Sequence, residues 1–249
     1  MNKLQSRVLV IILLTILTQC TVLLSEMVGT ANVIRDEKIL ASFGYNIKDS
    51  RQEIKIAGNV FNSEMNRNNT AVRIAYYKKP RIELYLQSGV GNSGFVINST
   101  TLTYNYASEG VKVNAFAGSI GVKYGLMPDT IASPALAVDI KVFAEWFSTD
   151  KLKVENQTFD IKALYHSTGI ETALVVSKKV NRYIEPRIGI VVSAITGKFE
   201  TVNKTADTTM SMLSGFIGLD AIIAKRMSVI TEIEFGTETS VNIGIRAGF

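Results

Sequence analysis

The chain ends SVNIGIRAGF, Ser240 to Phe249. Taken in twos, Val241, Ile243, Ile245, Ala247 and Phe249 share one side, and Asn242, Gly244, Arg246 and Gly248 share the other. Successive side chains of a strand point to opposite faces, so this segment reads as a β-strand with one apolar and one polar side. The same alternation recurs upstream. In ALAVDIKVFAEWF, Leu136, Val138, Ile140, Val142, Ala144 and Trp146 oppose Asp139, Lys141 and Glu145, with Phe143 and Phe147 on the charged side. In RIELYLQ, Ile82, Leu84 and Leu86 oppose Arg81, Glu83, Tyr85 and Gln87. In AFAGSIGVKYG, Phe116, Ile120, Val122 and Tyr124 oppose Ala117, Ser119, Gly121 and Lys123.

Ten segments carry the pattern, at 38–47, 69–78, 81–90, 113–125, 134–148, 158–178, 183–198, 211–224, 227–236 and 239–249, and 53–61 reads equally as a continuation of the first, its hairpin partner or loop. The sixth changes parity between Tyr165 and Ile170, which predicts a bulge at His166–Gly169. Two kinds of connection alternate along most of the chain. Short ones fall at 78–80, 126–133, 178–182 and 225–227; polar, mostly longer ones fall at 48–68, 91–111, 149–158 and 199–210. One tight end and one decorated end predict an all-β, antiparallel up-and-down barrel of about ten strands, within a range of eight to twelve. No sustained helical period, proline-rich linker or repeat interrupts it, so residues 32–249 read as one domain.

Ahead of the barrel, Lys3 and Arg7 precede an apolar run from Val8 to Leu24, and small residues stand at Gly29 and Ala31. A positive n-region, an apolar h-region and small residues at the cut site are the pattern of a secretory signal, here residues 1–31. The competing readings are a retained anchor and lipidation of Cys20, although Gln19 before that cysteine departs from a lipoprotein box. Cys20 is the only cysteine, so the exported part has no thiol for a disulfide or a metal. The formal charge of +5 falls to +4 without Lys3, Arg7 and Glu26, and the basic residues are spread singly, which argues against a nucleic-acid partner.

Parity alone does not say which face of the barrel is wet. The polar faces collect Arg73, Arg81, Lys123, Lys141, Arg187 and Arg246 against Glu83, Asp139, Glu145, Glu171, Asp220, Glu232 and Glu234, with glycine, serine and alanine between them. Six positive and seven negative charges among small residues suit a narrow interior where side chains interdigitate. Tyr76, Tyr77, Tyr124, Trp146, Phe147, Phe235 and Phe249 fall near strand ends, where membrane barrels carry aromatic girdles. With the final strand and the hairpin RIAYYKKPRIELYLQSG, the chain resembles bacterial outer-membrane β-barrel proteins from about Lys38 to Phe249. That resemblance implies an apolar face toward lipid, charges in the lumen, and a closing strand read by the barrel-assembly machinery through Val241, Ile243, Ile245 and Phe249.

Little else carries chemistry. His166 is the single histidine, and its neighbour Ser167 lies on the opposite face of a regular strand. No catalytic, cofactor or metal residues are expected. The leading expectation is a narrow, charge-filled outer-membrane barrel with a structural role, or one that binds an extracellular ligand through 48–68, 91–111, 149–158 and 199–210. The alternatives are a small-solute, porin-like channel, an outer-membrane protease or lipid-modifying enzyme, and a soluble exported ligand-binding barrel.

Overall fold

The computed structural model describes residues 38–56, 59–79, 81–98, 114–149, 152–154, 157–159, 163–201, 204–224 and 226–249. The segment 1–31, expected to be a secretory signal, and Cys20 within it lie outside them. Twelve strands follow in order: β1 Ile39–Ile56, β2 Asn59–Lys79, β3 Ile82–Asn98, β4 Asn114–Met127, β5 Ala135–Thr149, β6 Leu152–Val154, β7 Gln157–Phe159, β8 Ala163–Ser177, β9 Ile184–Thr201, β10 Lys204–Ala224, β11 Met227–Gly236 and β12 Glu238–Gly248. Ten of them close into one antiparallel barrel, and β6 and β7 form a separate small hairpin.

Closure follows from register. From Gly44 on β1, the pairing passes through Ala71, Gly89, Ala117, Glu145, Ser167 and Gly197 to Thr208 on β10. In the other direction it passes through Gly244 and Ile230 to Asp220, also on β10, a stagger of 12 residues. Every residue on that circuit faces inward. A staggered closed sheet must tilt its strands by roughly 40°. It also leaves no unpaired edge, which a sheet in lipid requires.

Strand lengths vary with height. An apolar belt of about 25 Å needs roughly ten residues of tilted strand. β11 has 10 residues and β12 has 11, whereas β2 and β10 have 21 each. The segments 48–68 and 199–210, read as connections with strand left open only at 53–61, are mostly strand: β1 and β2 pair from Ile39↔Tyr76 up to Ile56↔Asn59, and β9 and β10 up to Thr201↔Lys204. On β1 the alternation continues, but Arg51, Glu53 and Lys55 take the parity that Phe43, Tyr45 and Ile47 hold lower down, so the apolar-outward signature ends. In the 149–158 connection β6 pairs with β7, and in 91–111 strand β3 continues to Asn98. Above the short β11–β12 hairpin, β1 and β10 meet directly at Ile54↔Thr208 and Lys55↔Asp207. The hairpin's turn is held against β10, where the Thr237 hydroxyl donates to the Leu213 carbonyl at 3.1 Å. Gly236 there has φ +136°, a conformation only glycine adopts readily.

The bulge expected at His166–Gly169 does not form. β8 pairs without a break from Ala163 to Ser177 with both β5 and β9. Tyr165 simply shares the inner face with Glu171, so its apolar character had suggested a parity change that is not there. The register shifts that do occur, at Tyr77/Lys79, Gly125/Met127 and Ile222/Ala224, all lie at the tight-turn end.

Inward aromatic rings are accommodated by glycines on the adjoining strand. Tyr85 lies over Gly121, Phe143 over Gly169 and Phe216 over Gly189, each pair directly opposite in register. A Cβ at Gly189 would stand 2.3 Å from the Leu174 carbonyl and 2.5 Å from the Phe216 ring, and the carbonyl belongs to a paired strand that has no room to yield. Gly118 has nothing within 4 Å of such an atom. Gly189→Ala is expected to destabilise the barrel by roughly 1–3 kcal/mol. Gly118→Ala should leave the unfolding midpoint in urea almost unchanged, and equal effects of the two would contradict the close approach.

Candidate functional site

The inner surface is the candidate site. Twelve of the thirteen charges collected by parity point into it. Arg73, Glu83, Lys123, Asp139, Lys141, Glu145, Glu171, Arg187, Asp220, Glu232 and Glu234 are at most 9% exposed, and Arg246 is partly buried. Arg81 is the correction: it stands exposed in the turn before β3 with φ +82°, and that left-handed turn takes its side chain out of the strand's parity. Lys48 and Glu185 also face inward. Lys48 had been assigned to a loop that is in fact strand.

The charges are organised. Across β2 to β5, Arg73 Nη2 lies 2.6 Å from Glu83 and 3.9 Å from Asp139, and Lys123 Nζ lies 3.5 Å from Asp139. The Tyr85 hydroxyl donates to Asp139 at 2.6 Å and the Tyr77 hydroxyl to Glu83 at 2.8 Å, while the Arg73 guanidinium stacks 3.5 Å from the Tyr85 ring centroid. Across β9 to β12, Arg187 bonds Asp220, Glu232 at 3.1 Å and the Thr231 carbonyl at 3.1 Å, and Arg246 reaches the other Asp220 oxygen at 2.7 Å. Gly218 makes room for this, since a Cβ there would fall 2.7 Å from Arg187 Nε. Farther from the tight turns, Lys141 pairs with Glu171 at 2.8 Å, and Ser240 donates to Glu234 at 3.2 Å. Opposite charges this deep are held by mutual pairing, because an unpaired ion in a low dielectric is costly.

Between the two large ion-pair groups lies an apolar plug. Ala135, Ala137, Ala173, Val175, Val191 and Phe216 form one buried cluster on β5, β8, β9 and β10. Leu40, Ala75 and Tyr85 form another on β1 to β3. Tyr77 packs against both. In the ring order β2 stands five strands from β9 in either direction, so Tyr77 reaches across the lumen. Toward the other end, Phe147 and Tyr165 stack with centroids 4.4 Å apart. Tyr77 and Phe147 are thus lumen residues rather than girdle residues; Phe147 has the parity of Glu145, and parity prevails over nearness to a strand end.

Outside, the polarity is reversed. Tyr76, Tyr124, Trp146, Phe235 and Phe249 are exposed, as are Ile74, Leu86, Ile120, Val142, Ile190, Leu213 and Ile217. Val241, Ile243 and Ile245 continue that belt on β12, and the Phe249 amide donates to the Ile39 carbonyl at 2.9 Å, so the terminal residue joins the seam. Water-facing surfaces rarely carry so large a contiguous apolar area, and the soluble-barrel alternative fails on it. Trp146, the single tryptophan, is 44% exposed beside Phe116 at 5.8 Å. Its fluorescence should be strongly quenched by bromine-labelled acyl chains in a reconstituted bilayer and little affected by acrylamide in the water. The opposite pattern would contradict a lipid-facing belt.

His166 is half-buried on the outer face, opposite Trp146 and Lys198 in register. Ser167 points inward and donates to Glu145 at 3.4 Å, so the two do not meet.

No protein-family model matches the sequence, and no curated protein matches it. Solved structures do. The outer-membrane protease OmpT of Escherichia coli superposes with a TM-score of 0.56 at 10% identity, over 90% of this chain and 99% of that one. The outer-membrane protein OprG of Pseudomonas aeruginosa gives 0.50 at 10% identity, over 89% and 100%. The translocator domain of the autotransporter NalP of Neisseria meningitidis gives 0.50 at 12% identity, over 86% and 90%. At such identities the likeness is one of fold. With a closed wall, an apolar exterior and a charged interior, the chain is a ten-stranded barrel of the bacterial outer-membrane type.

Proposed function

We propose that the barrel is a closed structural and contact protein of the outer membrane, with its tight turns toward the periplasm and its long hairpins presented outside. Membrane barrels of this class carry short periplasmic turns and longer extracellular connections, which sets the orientation. One observation carries the closure: Tyr77 packs against apolar clusters on opposite walls, at the level where the two ion-pair groups line the rest of the circumference. Eleven of the twelve inward charges collected by parity are at most 9% exposed, as in a filled interior, in line with the rule that about eight strands leave room only for side chains. Contact with an extracellular ligand then falls to the β1–β2 and β9–β10 hairpins and to the connections 99–113 and 150–162. The strand Val241, Ile243, Ile245, Phe249 is the part the barrel-assembly machinery would read during insertion.

Single-channel recording tests this. Refolded barrel, verified by the mobility shift between boiled and unboiled samples, is expected to insert into a planar bilayer without discrete current steps. Stable steps would overturn the closed reading in favour of a small-solute channel. One feature favours that second reading: Asn46 is fully buried on β1, and neither of its side-chain polar atoms has a partner among the described residues. A polar lumen beyond the plug would accommodate water there.

A further inference from the structure

The tight-turn end is strongly basic. Among the described side chains, Lys38, Lys78, Arg81, Lys178, Lys179, Arg182 and Arg226 fall there, seven cations against one acidic side chain outside the lumen, Asp129. The connections at the other end, 48–68, 91–111, 149–158 and 199–210, hold seven basic and eight acidic residues. Asp129 is itself engaged, accepting from Lys178 Nζ and from the Lys179 amide, each at 3.0 Å. Lys178 also binds the Thr130 and Ser133 carbonyls, which ties the 128–134 loop to the 178–183 turn. Lys38, Lys78, Arg81, Lys179, Arg182 and Arg226 are exposed. Nothing inside the lumen calls for them.

We propose that this collar binds the phosphate headgroups of anionic phospholipids in the leaflet around it. Three features favour a lipid surface over a soluble polyanion. The cations are spread around the ring, at the start of β1 and at the β2–β3, β8–β9 and β10–β11 turns, as an encircling annulus requires and a single docked partner does not. They continue the apolar belt directly, since Lys78 follows Tyr76 by two residues on the same outward face. Apolar side chains are interleaved with them: Ile131 is fully exposed, and Val180, Leu126 and Met127 are also exposed. A membrane interface takes both kinds at once, the aliphatic tips at the acyl boundary and the ammonium and guanidinium groups at the phosphates. Arg182, 4.6 Å from the Tyr183 ring centroid, shows the pairing of cation and interfacial aromatic within one turn.

The test uses the full barrel in nanodiscs of phosphatidylcholine and phosphatidylglycerol, with retained lipid counted by native mass spectrometry. Phosphatidylglycerol should be enriched in the retained lipid roughly fivefold or more over its bulk share at low salt, with the enrichment falling at high salt. A variant carrying Lys78→Gln, Arg81→Asn, Lys179→Gln, Arg182→Gln and Arg226→Gln leaves the Lys178 tie in place. It should fold with the same gel shift and retain both lipids near their bulk ratio. Enrichment that persists in the variant, or is absent in the natural chain, overturns the proposal. Parity of lipids combined with collar-dependent binding to purified peptidoglycan overturns it in favour of an acidic wall polymer. Both leaflets of a nanodisc have one composition, so the result does not depend on the orientation proposed above. Periplasmic labelling of Thr130→Cys in cells tests that orientation separately.

Discussion

Arg187→Met is expected to destabilise the folded barrel by about 3–5 kcal/mol, the usual cost of removing one partner from a buried ion pair. The Arg187 side chain is fully buried and holds three groups on two strands: Asp220, Glu232 and the Thr231 carbonyl. Methionine fills much of the volume and donates nothing. Glu232 loses a guanidinium at 3.1 Å, and Asp220 loses one guanidinium while Arg246 stays at 2.7 Å. Arg187→Lys retains the charge but not the planar fork, so it should recover only part of the loss. Urea unfolding followed by Trp146 fluorescence measures all three proteins. Combining Arg187→Met with Glu232→Gln should cost less than the sum of the single changes, since both remove the same ion pair. A loss under about 1 kcal/mol for Arg187→Met would mean that the lattice is solvated and that the interior is not filled as described.

Tyr77→Ala is expected to turn a silent barrel into one with discrete current steps. The ring is the element shared by the two apolar clusters, and its hydroxyl holds Glu83 at 2.8 Å. Removing it opens a gap between opposite walls, bordered by Glu83 and Arg73, so water has polar groups to follow. Tyr77→Phe keeps the ring and loses only the hydrogen bond, and it should remain silent. The planar-bilayer recording distinguishes the two, with the gel shift confirming that both variants fold. A folded but silent Tyr77→Ala barrel would assign the seal to the ion-pair groups instead.

How much of this was legible depends on what each face touches. Where lipid lies on one side and charge on the other, alternation is strict. β5 shows it: Val138, Ile140 and Val142 outward, Asp139, Lys141 and Glu145 inward, all readable from sequence. Beyond the belt a stretch such as SRQEIKI, Ser50 to Ile56, still alternates and stays paired, but Arg51, Glu53 and Lys55 take the parity that Phe43, Tyr45 and Ile47 hold below, so the apolar-outward signature ends. That is why β1, β2, β9 and β10 looked shorter than they are. The interior aromatics were obscured differently. Tyr165 and Phe147 share parity with charged residues, but an apolar ring suggests the lipid side until its stacking partner is seen. The glycine opposite each ring is a usable signal only once register is known, because Phe143 and Gly169 lie far apart in sequence. Nor does sequence show Tyr77 crossing the lumen, since the contact depends on β2 and β9 standing opposite in a ring of ten.

The seam has a kinetic consequence. β1 meets β12 from Leu40↔Gly248 to Ser50↔Glu238, and beyond the β11–β12 hairpin it meets β10 as well. The closing hairpin therefore sits as a wedge beneath a second clasp. Peeling it out does not by itself open the cylinder, and parting β1 from β10 leaves the hairpin still zipped to both neighbours. Two independent ruptures must coincide before the wall gives way. Persistence of such a ring is a matter of lifetime as well as of equilibrium.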